Sequence, residues 1–202
     1  MVATALLSLV LASAFGVVIV MQNEAAQTGD RFTAEGEAQT MASRVSKDLR
    51  TAVAPTSTSA AFASADANDV VFYASLSDLS AAGNGPVRLH AYISQVGTTG
   101  VYVFHEDATP PNSGGSPGNY TYNLANTVNR LDGQYLDATQ PIFTYWRADG
   151  TQFTTMPITA TADLRSIDAV GITLRVRVHP RSPSVTITTR VHIRNVDYNP
   201  NT

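Results

Sequence analysis

The sequence predicts an α+β protein in which a long N-terminal helix packs on an antiparallel β-sheet. Three patterns predict this fold: an uncharged apolar run from Met1 to Met21, an amphipathic stretch after it, and short alternating segments further on. The 202 residues suit one domain plus an extension, and the net charge of −3 does not indicate nucleic acid as a partner. The chain has no cysteine, which excludes a disulfide scaffold, a thiolate metal site and a cysteine nucleophile.

The apolar run predicts the first half of the helix, residues 1–24. About 20 mostly apolar residues cross ~30 Å of hydrocarbon, so we expect this half to span a membrane. A cleaved secretory signal that uses the Ala-Ser-Ala sequence at 12–14, or a buried core helix, are the open alternatives. Small side chains such as Ala5, Ala12 and Gly16 let helices approach closely in an apolar environment, so we predict that they support packing against other helices.

The amphipathic stretch, residues 25–54, predicts the second half of the same helix. Its apolar residues recur at steps of three or four: Ala34, Ala38, Met41, Val45, Leu49 and Val53. Pro55 disfavours helical backbone at the residue before it, so we expect one helix from Met1 to Val53, about 80 Å long. Met41, Val45 and Leu49 are predicted to pack against the sheet.

Residues 55–202 are predicted to form a β-rich head. Strands are expected over 68–76, 86–96 and 100–106, and the segment 140–153 is expected to be a strand that runs into a turn at Asp149-Gly150. A mobile surface loop is expected over 107–121, and a short helix or helical turn over 162–170. The residues between 55 and 67 read as a loop rich in threonine, serine and alanine.

The clearest alternation lies in two segments near the C-terminus, 171–178 and 184–195, which predict an antiparallel hairpin with one dry face. We expect the amphipathic half of the helix to cover that face. The polar faces carry four arginines: Arg175, Arg177, Arg190 and Arg194. They form either a solvated surface or an electrostatic contact with a neighbouring subunit.

Several segments, in this order along the chain, resemble the type IV pilins and the type II secretion pseudopilins. After the apolar run they are SRVSKDLRTAV, NDVVFYASL, IFTYWRADG, LRSIDAVGITLRV and TTRVHIRN. The likeness is greatest to the J-type minor pseudopilins and similar large minor pilins. It implies a pilin-like fold and a structural subunit that acts by helix packing and association of heads. It also implies that residues 1–24 lie in the core of a filament after assembly.

The resemblance also implies partners and a location. The expected partners are other pilin or pseudopilin subunits, an inner-membrane assembly platform, and membrane lipid before assembly. The expected location is a single-pass membrane protein whose head lies outside the cytoplasm, in the periplasm or at the cell surface. The run aligns just after the glutamate that begins such mature helices, so we expect a leader, a cleavage glycine and that glutamate upstream of Met1.

Other functions stay open. The first alternative is that the chain is a major filament subunit of the same family. The sequence does not decide whether the machine secretes, moves or takes up DNA. A different class is a membrane-anchored or secreted β-domain that binds a glycan or another surface ligand through aromatic residues such as Tyr120, Tyr122 or Trp146.

The sequence contains no recognisable catalytic or metal-binding motif. The histidines occur singly: His90, His105, His179 and His192. Neighbouring residues of a strand point to opposite faces, so the His-Glu-Asp sequence at 105–107 is not expected to form a site. The oxygen ligands at 66–70 lack the spacing of a calcium-binding EF-hand loop, and a turn that leads into a strand is favoured over a calcium site. We expect no enzyme activity, no cofactor and no metal.

Overall fold

The computed structural model describes residues 2–76, 85–96, 101–112, 119–136, 141–179 and 182–193, with side chains from residue 11 onward except those of 101, 134 and 135. The predicted α+β arrangement is confirmed: a long N-terminal helix packs on an eight-stranded antiparallel sheet.

Helix α1 (Val2–Arg50) runs for 49 residues, or about 74 Å at 1.5 Å per residue. It continues through glycines that weaken a helix by about 1 kcal/mol each relative to alanine. Thr33 donates a hydrogen bond to the carbonyl of Gly29 (3.1 Å), and Thr40 donates one to the carbonyl of Gly36 (2.8 Å). The helix therefore has no break between its two halves.

The helix ends at Arg50, earlier than the predicted Val53. The next residues bond to the sheet instead, since Ala52 pairs with Ala74 and the backbone N–H of Val53 donates to the carbonyl of Tyr73 (2.9 Å).

The sheet is assembled mainly from sequential antiparallel neighbours. Its strands are β1 (Phe62–Ala65), β2 (Asp69–Ala74), β3 (Val87–Val96), β4 (Val101–Thr109), β5 (Val128–Leu136), β6 (Phe143–Arg147), β7 (Ile167–Val176) and β8 (Val185–His192). A 3₁₀ turn (Leu124–Asn126) precedes β5, and a short helix α2 (Thr161–Arg165) precedes β7. The order is β1-β2-β3-β4-β5-β7-β6, with β8 on the other edge of β7.

The strands predicted over 68–76, 86–96 and 100–106 correspond to β2, β3 and β4, and the predicted C-terminal hairpin is β7 and β8. Strands β1 and β5 were not predicted. The predicted loop over 107–121 begins too early, because β4 continues to Thr109, and 113–118 lie outside the described residues.

The core lies between the buried stripe of α1 and the inner face of the sheet. Its largest fully buried side chains include Met41 and Leu49 from the helix and Phe72, Phe104, Leu174 from the strands. The helix contacts β2, β5, β7 and β8, so it covers the dry face of the hairpin as expected.

One glycine sets the approach of the helix to the sheet. Gly133 of β5 lies directly under the side chain of Met41, and a Cβ atom at this position would overlap the Met41 sulfur. Strand β5 therefore approaches α1 more closely than any residue with a side chain would permit.

Candidate assembly surface

The described side chains in the first half of α1 are exposed. From Leu11 to Gly29 every side chain lies in the exposed class, and burial begins only at Asp30, which accepts a hydrogen bond from Ser182. The large apolar side chains on this half are between 47% and 64% exposed: Leu11, Phe15, Val17, Val18, Ile19, Val20 and Met21. Contiguous apolar surface of this kind marks an interaction site in proteins.

The residues predicted to pack helices fall into two groups. Ala12 and Gly16 lie on the exposed half, and nothing lies within 4 Å of the position of a Cβ atom at Gly16. The side chain of Ala5 lies outside the described residues. Met41, Val45 and Leu49 are at most 1% exposed and belong to the core of the head. Only the first group is therefore available to another molecule.

The predicted membrane location is wrong. Among the described residues, no helix has a stretch that is both long enough and apolar enough to cross a membrane.

A buried ion network joins α1 to the head. Arg130 of β5 donates to Asp48 of α1 (2.6 Å) and lies 3.4 Å from Glu106 of β4, and Arg44 donates to Glu106 (3.2 Å). Asp48 is 2% exposed and Glu106 is fully buried. A groove of about 740 Å³ lined by Lys47 and both arginines opens over this network.

Two carboxylates and two guanidinium groups balance in charge, yet the carboxyl of Glu106 is not fully satisfied. Its Oε2 atom is buried and has no hydrogen-bond partner among the described residues. Burial, followed by the nearby Asp48 carboxylate, raises the pKa of Glu106 to about 7, although Arg130 and Arg44 act in the opposite direction. The junction between helix and head is therefore sensitive to protonation.

The predicted arginine surface lies on the outer face of the sheet, away from α1. Arg190 places its guanidinium 4.3 Å from the centre of the Trp146 ring, and Arg175 donates to Ser184 (3.0 Å). Arg177 follows the end of β7 and is half-buried, while Arg194 lies outside the described residues. Both described strand arginines have contacts within the head.

The aromatic residues considered for a surface ligand are half-buried. Tyr122 packs on Tyr73 with 5.5 Å between ring centres and donates to the carbonyl of Pro86 (2.8 Å). Tyr120 packs against Gly85, and Trp146 lies under Arg190. These contacts account for the positions of all three rings.

A row of polar side chains crosses strands β2 to β5 on the outer face. The register places Asp69 opposite Tyr92, Tyr92 opposite His105, and His105 opposite Asp132. The ring of Tyr92 is stacked between His90 (4.3 Å) and His105 (4.9 Å). We call these five residues, together with Ser94, Asp107 and Asn129, the outer polar row.

The outer polar row changes the interpretation of the His-Glu-Asp sequence. Glu106 points to the core, as alternation requires, but His105 and Asp107 are two residues apart and share the outer face, where the Tyr92 hydroxyl donates to Asp107 (3.1 Å). The three residues do not share one face, as alternation predicts, and His105 and Asp107 belong to a cluster that side chains of adjacent strands complete. The only signal in the sequence was polar residues at alternate positions of two adjacent strands.

His105 is hydrogen-bonded at both ring nitrogens. Its Nδ1 lies 2.6 Å from Asp132, and its Nε2 lies 2.7 Å from the hydroxyl oxygen of Ser94. Asn129 also donates to Asp132 (2.7 Å). The hydrogen bonds from Asn129 and His105 lower the pKa of Asp132, which keeps this carboxylate ionised at neutral pH.

No group of three or more ligating side chains that could hold a metal is found in the described part of the chain. In the calcium candidate at 66–70, Asp66 accepts from the N–H of Ala67 (2.7 Å) and Asp69 pairs with His90 (2.8 Å). His192 pairs with Asp168 (3.1 Å), and His179 is exposed just beyond β7.

Comparison with family models, with curated proteins and with solved structures finds no match to this chain. What the resemblance to pilins implies therefore stays a prediction.

Proposed function

We propose that the chain is a structural assembly subunit of the pilin or pseudopilin kind, whose exposed half of α1 packs against the same half of other subunits. The observation that carries this proposal is the contiguous exposed apolar surface of residues 11–21, on a helix that continues unbroken into the core of the head. The head then stands beside the packed helices, fixed in orientation by the second half of α1.

The burial energy of the exposed apolar side chains is large enough to offset the cost of association. Burial of an apolar side chain of this size stabilises by roughly 1.5–3 kcal/mol relative to exposure. Side-by-side association costs about 4–15 kcal/mol in lost freedom, so several such side chains must be buried together. The seven large apolar side chains between Leu11 and Met21 meet that requirement when helices pack closely. The small residues Ala12 and Gly16 permit the short distances between helix axes that such packing needs.

Within this class we propose a minor subunit. The order of segments in the head resembles that of the J-type minor pseudopilins, and the buried helix-to-head junction gives each subunit one fixed head orientation. Its partners are then other pilin or pseudopilin subunits and the platform that assembles them. The role requires no bond chemistry.

The experiment places a bulky residue on the exposed half of the full-length protein. Gly16→Leu and Ala12→Trp are expected to abolish filament assembly or secretion in a deletion strain, while the circular dichroism of the head is unchanged. The matched control is Gly29→Leu, because Gly29 is also an exposed helical glycine with nothing within 4 Å but lies beyond the apolar segment.

Two further variants complete the test. His105→Ala and Asp107→Ala are expected to assemble normally, since neither residue lies on α1. Full activity of a chain that lacks residues 1–22 would refute the proposal.

A further inference from the structure

We propose that Ser94 is a chemically activated serine, which with His105 and Asp132 forms a nucleophile, base and orienting carboxylate that react with carboxylic esters. This inference goes beyond assembly and is independent of it, because the three residues lie on the outer face of the sheet. Chemical activation of a serine requires a base within hydrogen-bond distance and a third group that orients the base.

The imidazole of His105 contacts Ser94 through one ring nitrogen and Asp132 through the other. The Ser94 Oγ atom lies 2.7 Å from Nε2 of His105, and the Asp132 Oδ1 atom lies 2.6 Å from Nδ1. This is the order of contacts in a serine, histidine and aspartate triad, which is recognised by geometry and roles and not by sequence spacing.

The hydrogen bonds also fix the tautomer of the ring. An ionised carboxylate only accepts hydrogen bonds, so Nδ1 of His105 carries the proton and donates to Asp132. In the neutral ring Nε2 then has a lone pair, and it accepts the hydroxyl proton of Ser94. Asn129 holds the Asp132 carboxylate in place from the side (2.7 Å).

The base is held by packing as well as by hydrogen bonds. The His105 side chain is 19% exposed, and its ring is stacked on Tyr92 with 4.9 Å between centres and 23° between planes. Three adjacent strands, β3, β4 and β5, supply the serine, the histidine and the aspartate, and sheet pairing fixes their relative positions. Rigid elements of this kind hold a reactive group more precisely than loops do.

The reaction is a two-step acyl transfer. Ser94 Oγ attacks the ester carbonyl carbon, its proton moves to Nε2 of His105, and the carbonyl electron pair moves to the oxygen. The C–O bond to the leaving alcohol then breaks as the carbonyl re-forms, and the alcohol takes the proton from Nε2. Water repeats the sequence on the acyl-serine, which releases the carboxylic acid and restores Ser94.

The surroundings of the site define the substrate class. The triad lies on an open sheet face, where Asp132 is 56% exposed. Such a face does not enclose an acyl chain or exclude water, and a dedicated oxyanion donor elsewhere contributes about 10²–10³ to the rate. We therefore assign small esters with good leaving groups, such as aryl acetates, and expect slow turnover.

The experiment uses the full-length protein with p-nitrophenyl acetate and with a fluorophosphonate probe. One covalent adduct per chain is expected in the intact mass, and peptide mapping is expected to place it on Ser94. Ser94→Ala should abolish the adduct and the burst of p-nitrophenol, and Asp132→Asn should slow labelling at least tenfold. Ser57→Ala, at an exposed serine of the loop after α1, is the matched control and should label like the wild type.

The proposal is overturned if the wild-type adduct maps to another residue, if no adduct forms, or if Ser94→Ala labels at the wild-type rate. Peptide mapping of the wild type needs no variant, so the test stands even if a substitution disturbs folding. Filament assembly by Ser94→Ala is expected to be normal, which separates this inference from the proposed function.

Discussion

The two halves of α1 belong to one continuous helix but have opposite surroundings. Residues 11–29 are exposed, although they include the most apolar part of the helix, and residues 34–49 bury a stripe in the head, although charged residues flank it. Periodicity, and not total apolarity, therefore decides which half of this helix is buried in the head. A helix that is apolar on every side has no single face to offer one sheet, and it is suited to be surrounded by other helices.

A polar substitution in the buried stripe is expected to have the largest effect on stability. Leu49→Asp is expected to prevent folding, and Leu49→Ala to lower the free energy of unfolding by roughly 2–5 kcal/mol, because Leu49 is fully buried. The matched variant Leu11→Ala, at 48% exposure, should change it by less than about 0.5 kcal/mol. Urea denaturation of the full-length protein below its assembly concentration measures both. Equal losses would mean that the two halves of the helix do not differ as described.

A buried carboxyl group of β4, at the junction between α1 and the head, makes the stability of the protein depend on pH. The pKa of Glu106, raised from 4.5 to about 7, means that the folded protein binds the proton more tightly than the unfolded chain does. Its stabilising effect is therefore complete below pH 4.5 and is lost as the pH rises through about 7. The loss is on the order of 3 kcal/mol, at 1.36 kcal/mol per pKa unit.

Glu106→Gln removes this titration, so the free energy of unfolding of the wild type relative to the variant should fall across that pH range. The control is Glu24→Gln, at an exposed residue of α1 outside the buried network. A flat difference for Glu106→Gln would show that the buried network does not titrate in this range.

The smallest expected changes in stability come from replacing two glycines by alanine, and these changes have opposite signs. Gly133→Ala places a methyl group against Met41 and should destabilise the protein by about 1–3 kcal/mol. Gly16→Ala meets nothing within 4 Å and should stabilise the helix by up to about 1 kcal/mol. Thermal or urea unfolding of the two variants measures the difference. A destabilising Gly16→Ala would indicate a contact on the exposed half.

Most of the fold could be predicted from local patterns. The stripe of α1 and the alternation of β7 and β8 are periodic within one segment, so each segment specifies its own structure. Strand β5 could not be predicted, because its Asp132-Gly133 pair is a strong turn signal. Tertiary packing overrides that signal: Gly133 is required by the contact with Met41 and not by a turn. Strand β1 is short and rich in small residues, and its pairing with β2 defines it.

The outer polar row could not be predicted for a different reason. Ser94, His105 and Asp132 come together only through the register of three strands, and that register shifts at irregularities near Phe104 and between Glu106 and Asp107. A shift of one residue turns a side chain to the other face. Spacing along one chain therefore carries no information on which of these residues meet.

The continuity of α1 through Gly29 and Gly36 has a geometric consequence. A helix turns by about 100° per residue, so the direction of the head around the helix axis is set by the number of residues between the exposed half and the buried stripe. In the proposed assembly, each neighbour that packs on the exposed half would therefore meet the head at one fixed angle. Adding or removing one residue between Met21 and Asp30 would rotate the head by about 100° and move it by about 1.5 Å along the axis. The angular order of heads in an assembly would then be encoded in the length of that short segment, and not in the surface of the heads alone.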